Sequence, residues 1–325
     1  MSSVNHKQFS SIDQLQAGLR AIWEVEITQS EPGPVCSSLW STRVGDCLVY
    51  GSAANRSLVF SGRRAEQYWT VTPITRHCAG GRFRGQSLDD GDLLLLDPGG
   101  EVFMQTIAGH VQQAISIPVA VAERIIQAEY QDEPETLLQQ WSRKSIPGAS
   151  VRLEKMLQHF LAGSTAPSVG GEIDATELAA RVIAVSQAGT APQGVRTSLA
   201  NRRRVVSRAE ELIRSRLHQP PSVTELCEAT FASRRLLFYA FNELLGRSPA
   251  AHTKILRLHA ARRRILAARH SPSVQQIAYE LGFRHPGQFA IDYGRAFGER
   301  PSQTRRRMRW RMVGGPIDIA PPLAP

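Results

Sequence analysis

Between Arg234 and Asn242, arginine, aromatic and amide side chains recur at helical spacing. Leu236, Leu237, Ala240, Phe241 and Leu244 gather on one side of a helical wheel, and Arg234, Arg235, Phe238, Tyr239 and Asn242 on the other. A helix that served only a core would not place two arginines and two aromatics toward solvent. A guanidinium can donate to guanine O6 and N7 together, or to a phosphate. A second stretch repeats the division. Phe289, Ala290, Tyr293 and Phe297 fall on one face, and Gly287, Gln288, Ile291 and Arg295 on the other. Between the two stretches stand Lys254, Arg257, Arg262, Arg263 and Arg264, cations suited to phosphate.

The elements that must hold these side chains come from an internal repeat. One copy starts at Ser222 and the other at Ser273; Leu226 matches Ile277 at an offset of 51, and Leu237, Phe241, Gly246 and Pro249 match Phe289, Tyr293, Gly298 and Pro301 at 52. Each copy predicts two helices and a tight turn, over 222–246 and 273–298. Ser222 with Glu225, and Ser273 with Gln276, have capping-box spacing. Ser233 and Pro286 suit the starts of the second helices, and Gly246 and Gly298 suit their left-handed ends. This is helix-turn-helix geometry, and the major groove, about 12 Å wide, admits one helix. Pro249–Arg269 predicts a connecting helix of about 30 Å, near one turn of duplex DNA.

Other chemistries find little footing. His77, Cys78 and His110 hint at a metal site, but there is no His-x-His pair, and Cys36, Cys47, Cys78 and Cys227 form no CxxC pair. Neither a cofactor nor a catalytic pairing of nucleophile and base is predicted. An enzyme with a reactive cysteine and an accessory nucleic-acid domain is the competing reading, and it requires a low-pKa thiol.

Charge divides the chain. Residues 196–311 hold 24 Lys and Arg against 8 Asp and Glu, a net of +16, while the remainder holds 15 against 21, a net of −6. The split predicts a polyanion-binding C-terminal domain joined to a domain with another task. Charge alone leaves DNA, RNA and anionic membrane open. No apolar run approaches the length of a membrane span, and the first residues lack a signal-peptide core, so a cytoplasmic protein is expected.

The expected fold class is α+β. Residues 1–188 are read as a sensing and dimerisation domain. Within it 35–118 is β-rich, a barrel or sandwich with strands at Cys47–Tyr50, Ser57–Phe60, Tyr68–Val71 and Asp92–Asp97. Residues 119–188 are helical, and the apolar face from Val151 to Leu161 is a candidate dimer seam. A linker over 189–201, a DNA-binding domain over 202–312 and a tail over 313–325 follow.

Ile277 to Phe283 (IAYELGF), Gln288-Phe289, Tyr293, Phe297-Gly298 and Pro301-Ser302 together resemble the second helix-turn-helix of AraC/XylS-family transcription regulators, over roughly residues 205–309. The run from His285 to Tyr293 is similar to a subgroup that includes ethanolamine-utilisation regulators. The resemblance implies an activator that binds double-stranded DNA as a homodimer, works with RNA polymerase and answers a small-molecule effector. It puts base contacts on Arg235, Phe238 and Tyr239 in the first unit and on Pro286, Gly287, Gln288 and Ile291 in the second. Because Pro286 and Gly287 offer no side-chain hydrogen bond, Arg284 and His285 join the second set. Phosphate contacts are expected from Arg234, Lys254, Arg257, Arg262 and Arg295. Phe231 stands in the first turn where glycine is usual, so a distorted turn is expected there.

Overall fold

Apolar runs too short for helices and broken by Gly, Pro and Asp build the N-terminal strands. The computed structural model describes residues 4–20, 22–129, 138, 142–145, 148–162, 174–187, 197–267 and 272–312. The chain forms two compact units. The first comprises Met1–Glu31, Val35–Arg203 and Glu243–Leu245, and the second Pro32–Pro34, Arg204–Asn242 and Gly246–Pro325.

In the first unit, twelve strands among the described residues form two antiparallel sheets. The larger runs β1 (Asn5–Phe9), β3 (Ser37–Val44), β4 (Cys47–Ala54), β11 (His110–Pro118), β6 (Tyr68–Pro73), β9 (Asp92–Leu96) and β12 (Ser142–Ser145). The smaller runs β2 (Trp23–Gln29), β5 (Leu58–Arg64), β10 (Glu101–Gln105), β7 (Arg82–Phe83) and β8 (Gln86–Ser87). Leu58 and Phe60 of β5, Trp23 and Ile27 of β2, and Tyr50, Leu94 and Leu96 of the larger sheet share one core. The sheets therefore face each other as a sandwich, the second of the two expected forms, and no closed barrel is made.

The opposite face of the larger sheet is also covered. Val49, Val71, Leu93, Leu95, Ile115 and Ile117 pack with α2 (Val119–Glu129), α3 (Ala149–Leu161) and α4 (Ala175–Gln187). This explains the uninterrupted run in β9. Leu94 and Leu96 face the other sheet and Leu93 and Leu95 the helices, so none can be polar. Burying each stabilises the fold by about 1.5–3 kcal/mol.

Two expectations change here. Strands begin well before residue 35, at β1 and β2, with α1 (Ile12–Leu19) between them. That helix is nucleated by Ser11, whose side chain accepts from the Gln14 amide. The apolar face of α3 is not a free seam. Leu153 and Leu157 are buried in the core under the larger sheet, Met156, Phe160 and Leu161 pack against it, and only Val151 is exposed. Most of the expected linker and all of 313–325 lie outside the described residues, and α5 (Thr197–Ser215) starts within the linker's last positions.

The second unit is helical: the greater part of α5, then α6 (Val223–Thr230), α7 (Arg234–Leu245), α8 (Pro249–Ala267), α9 (Val274–Glu280), α10 (Pro286–Phe297) and α11 (Pro301–Met312). α8 is the central member. His252 of α8 bonds Glu210 of α5 at 2.6 Å and meets the Phe241 ring edge to face. Leu258, Ala261 and Ile265 share a core with Ile277, Phe289, Tyr293 and Phe297. No described helix is long and apolar enough to cross a membrane.

His110 gives a testable consequence. It is buried in β11, and burial pushes its imidazole down from 6.5 to about 4. The unfolded chain takes up a proton near 6.5 that the folded form refuses, so this contribution is complete above 6.5 and is lost as pH falls toward 4. Chemical denaturation midpoints should drop across that window in the wild type, and less steeply in His110→Gln.

Candidate nucleic-acid interface

Both copies of the repeat fold as two helices and a turn. In the first, Ser222 and Glu225 exchange both capping bonds, 3.2 Å to the Glu225 amide and 2.8 Å back to the Ser222 amide. In the second, Ser273 accepts from the Gln276 amide at 3.1 Å, and the reciprocal bond from the glutamine side chain is not made. Ser233 caps α7 by accepting from the Leu236 amide, and Pro286 opens α10. Gly246 and Gly298 end these helices at φ of 65° and 70°.

The turns differ in one residue. Gly282 takes φ of +75° in the second turn, and a Cβ there would meet the His218 carbonyl at 2.5 Å. Its repeat counterpart is Phe231, at φ of 54° and ψ of 36°. The first turn is therefore not distorted. It keeps the left-handed form and bears the strain, while the Phe231 ring stays 88% exposed.

The exposed faces follow the wheel. On α7, Leu237, Ala240 and Phe241 are fully buried, while Arg234, Arg235, Tyr239 and Asn242 are exposed and Phe238 is half-buried. The Arg234 guanidinium lies 5.6 Å from the Phe238 ring centroid, one helical turn away. On α10, Phe289, Tyr293 and Phe297 are buried, and Gln288, Ile291 and Arg295 are exposed. Arg284, His285, Pro286 and Gly287 lead into that face, all exposed; His285 occupies the N-cap without a side-chain capping bond.

The cations of α8 depart from expectation. Arg262 is 4% exposed, paired with Glu299 at 2.8 Å and stacked 4.8 Å from the Phe297 ring, so it holds α10 and α11 to α8 instead of facing a phosphate. Arg257 is half-buried. Its Nε donates to the Leu281 carbonyl at 2.7 Å and its guanidinium lies over Phe283 at 4.3 Å, which secures the second turn. Arg264 is exposed and paired with Glu280. Lys254 is exposed, with Nζ at 2.6 Å from Asp292 Oδ2.

Asp292 was not anticipated from the sequence. It is buried, and it accepts from Gln288 Nε2 at 3.2 Å while pairing with Lys254. One carboxylate thus positions an amide on α10 and an ammonium on α8. Its spacing four residues after Gln288 is the only signal the sequence offers. A cleft of about 430 Å³ between the two modules is lined by these residues together with Pro221, Leu226 and Phe289.

Two of the four cysteines bear on the reading that requires a reactive thiol. Burial, with Asp46 adding to it, raises the Cys47 thiol to about 11, and burial also raises Cys78. Both thiols stay protonated at neutral pH, unlike the nucleophile the enzyme reading needs. Among the described residues, no group of three or more His, Cys, Asp or Glu side chains is arranged to hold a metal.

A family profile described as a helix-turn-helix domain matches residues 226–307. The XylDLEGF operon transcriptional activator 3 of Pseudomonas putida is 34% identical over 119 residues, covering 36% of this chain and 35% of that protein. The probable thc operon regulatory protein of Rhodococcus erythropolis is 33% identical over 108 residues, covering 33% and 32%. The second module and most of the first lie inside the profile match. The C-terminal segment is an AraC/XylS-family helix-turn-helix domain. A solved structure of a probable AraC family transcriptional regulator from Rhodopseudomonas palustris is 35% identical over 32% of this chain and 96% of that one, with a TM-score of 0.31. The chain spans about a third of the length of the curated relatives named here. The narrower likeness to ethanolamine-utilisation regulators is not confirmed by these relatives.

In this AraC/XylS-type domain the strained turn can be tested directly. Phe231→Gly should raise stability by about 1 kcal/mol by relieving the left-handed backbone. Urea denaturation reads this as a higher midpoint at unchanged slope.

Proposed function

We propose that this chain is a sequence-specific DNA-binding transcription regulator, not an enzyme, and that its N-terminal unit responds to a small-molecule effector. The observation that carries the reading is the pair of helices α7 and α10. Each is buried on its apolar stripe and cationic or polar on its outer face, and both are packed with one central helix. The AraC/XylS-type domain and the relatives named as operon activators support it.

Base contacts are assigned to Arg235, Phe238 and Tyr239 of α7, and to Arg284, His285, Gln288 and Ile291 at α10. Arg235 is exposed on the outer face of α7, where its guanidinium can reach a guanine. Ile291 suits a thymine methyl. Arg234, Lys254 and Arg295 are assigned to phosphates. The partners proposed with DNA are RNA polymerase, an effector and a second copy of the chain, with activation in the cytoplasm as the setting.

An electrophoretic shift with DNA upstream of the chain's own coding region tests the reading. The expected result is a complex that survives competitor DNA, with log affinity falling against log salt by about 0.9 per neutralised phosphate. Binding that competitor abolishes at low salt would overturn it. Arg235→Ala should cost about 1–3 kcal/mol on the specific site and relax preference at one base pair, read by selection from a randomised library. Lys254→Ala should weaken all sequences alike and reduce the salt slope by about 1.

A further inference from the structure

α10 carries an acid where its neighbours are core. Phe289, Tyr293, Ala296 and Phe297 form the buried stripe of that helix, and Asp292 lies among them at 8% exposure. A carboxylate in such a place is costly unless partners meet it. Two do, one on each oxygen. Gln288 Nε2 donates to Oδ1 at 3.2 Å from one helical turn back, and Lys254 Nζ of α8 lies 2.6 Å from Oδ2. An apolar side chain would fill the position without that cost, so the packing of α10 does not account for the acid.

The consequence falls on Gln288. Its side chain is exposed at the start of α10, and Pro286 and Gly287 beside it have no side-chain hydrogen-bonding group. Gly287 also leaves the approach open, since a Cβ there would meet nothing within 4 Å among the described residues. An amide has two ends of opposite character, an oxygen that accepts and a nitrogen that donates. A carboxylate only accepts, so it can hold the nitrogen end alone. With one Nε2 hydrogen on Asp292, Gln288 presents Oε1 and its second Nε2 hydrogen to the outside. That pair matches adenine, which offers the N6 donor and the N7 acceptor in the major groove. Guanine offers acceptors at both O6 and N7, and its O6 would face Oε1.

We infer that Asp292 is a specificity-determining residue: it fixes the direction of the Gln288 amide so that α10 selects adenine over guanine at one base pair. It acts through Gln288 and touches no base, so it is a positioning residue. One oxygen serves sequence reading, and the other restrains Lys254, a cation that serves every sequence. A partner four residues on also holds the long glutamine side chain in one arrangement before DNA arrives, which lowers the ordering cost of the contact. The inference rests on the DNA-binding reading proposed above and assigns a base to it.

Selection from a randomised library, followed by affinity measurements on the selected site and on competitor DNA, tests it with the full chain. The wild type should prefer adenine at one position, and Gln288→Leu should abolish that preference. Asp292→Asn keeps the shape of the side chain but presents both a donor and an acceptor, so the Gln288 amide can turn over. Preference for adenine over guanine at that position should fall about fivefold, with the other positions unchanged. Affinity for competitor DNA should hold or rise, because Lys254 is released from a competing anion. On the Gln288→Leu background, Asp292→Asn should change nothing further at that position. Asp292→Ser carries the same expectations and serves where the asparagine variant unfolds. An unchanged preference in Asp292→Asn, an equal loss at every position with an unaltered melting temperature, or a further loss on the Gln288→Leu background would overturn the role of Asp292. A wild type that selects no sequence would overturn the DNA-binding reading itself. A wild type that selects a site with guanine or a pyrimidine where Gln288 maps would leave that reading standing and overturn this one.

Discussion

The reading surface depends on the burial of one helix. α8 packs against parts of both modules, and most of its side chains are covered. Its charged residues cannot all face a ligand, and they divide accordingly. Arg262 turns inward to Glu299 and Arg257 to the second turn, while Lys254 reaches the surface under the hold of Asp292. A flexible connector would leave the two outward faces to find DNA independently, at an entropic cost for each. A packed helix removes much of that cost before binding.

Much of this was legible in the residues. The offset of 51 and then 52 located both modules, and Leu226 with Ile277, and Phe241 with Tyr293, are buried as matched pairs. Strands such as Asp92–Leu96 were legible because an unbroken apolar run must be covered on both faces. What escaped depends on contacts distant in sequence. Arg262 sits in a run of three arginines that looks like a solvated face, and only Glu299, 37 residues on, reveals that it is buried. Asp292 looks like an ordinary surface acid until Lys254 and Gln288 converge on it. β1 and β2 are fixed by pairing with Ser37–Ser41 and Leu58–Arg64.

Three residues violate local rules, and they are not alike. Phe231 carries left-handed strain and an exposed ring at once, and its amide closes α6 on the Cys227 and Glu228 carbonyls. Arg84 carries similar strain at φ of 48°, but its guanidinium gains Asp97 and the Glu101 carbonyl, so the turn is held by what it positions. Arg64, buried at the end of β5, is unstrained in backbone, and its cost is electrostatic. Sequences tend to keep such costs where function needs them, and the three fall in two places: the turn ahead of α7 and the interior of the N-terminal sandwich.

The charge division of the chain sharpens the last point. The C-terminal stretch is rich in arginine, so one more buried arginine there would be unremarked. The remainder carries a net of −6, with acids available at many positions, and Asp97 acts on both Arg64 and Arg84. An arginine kept only for packing could be replaced by methionine without the desolvation cost.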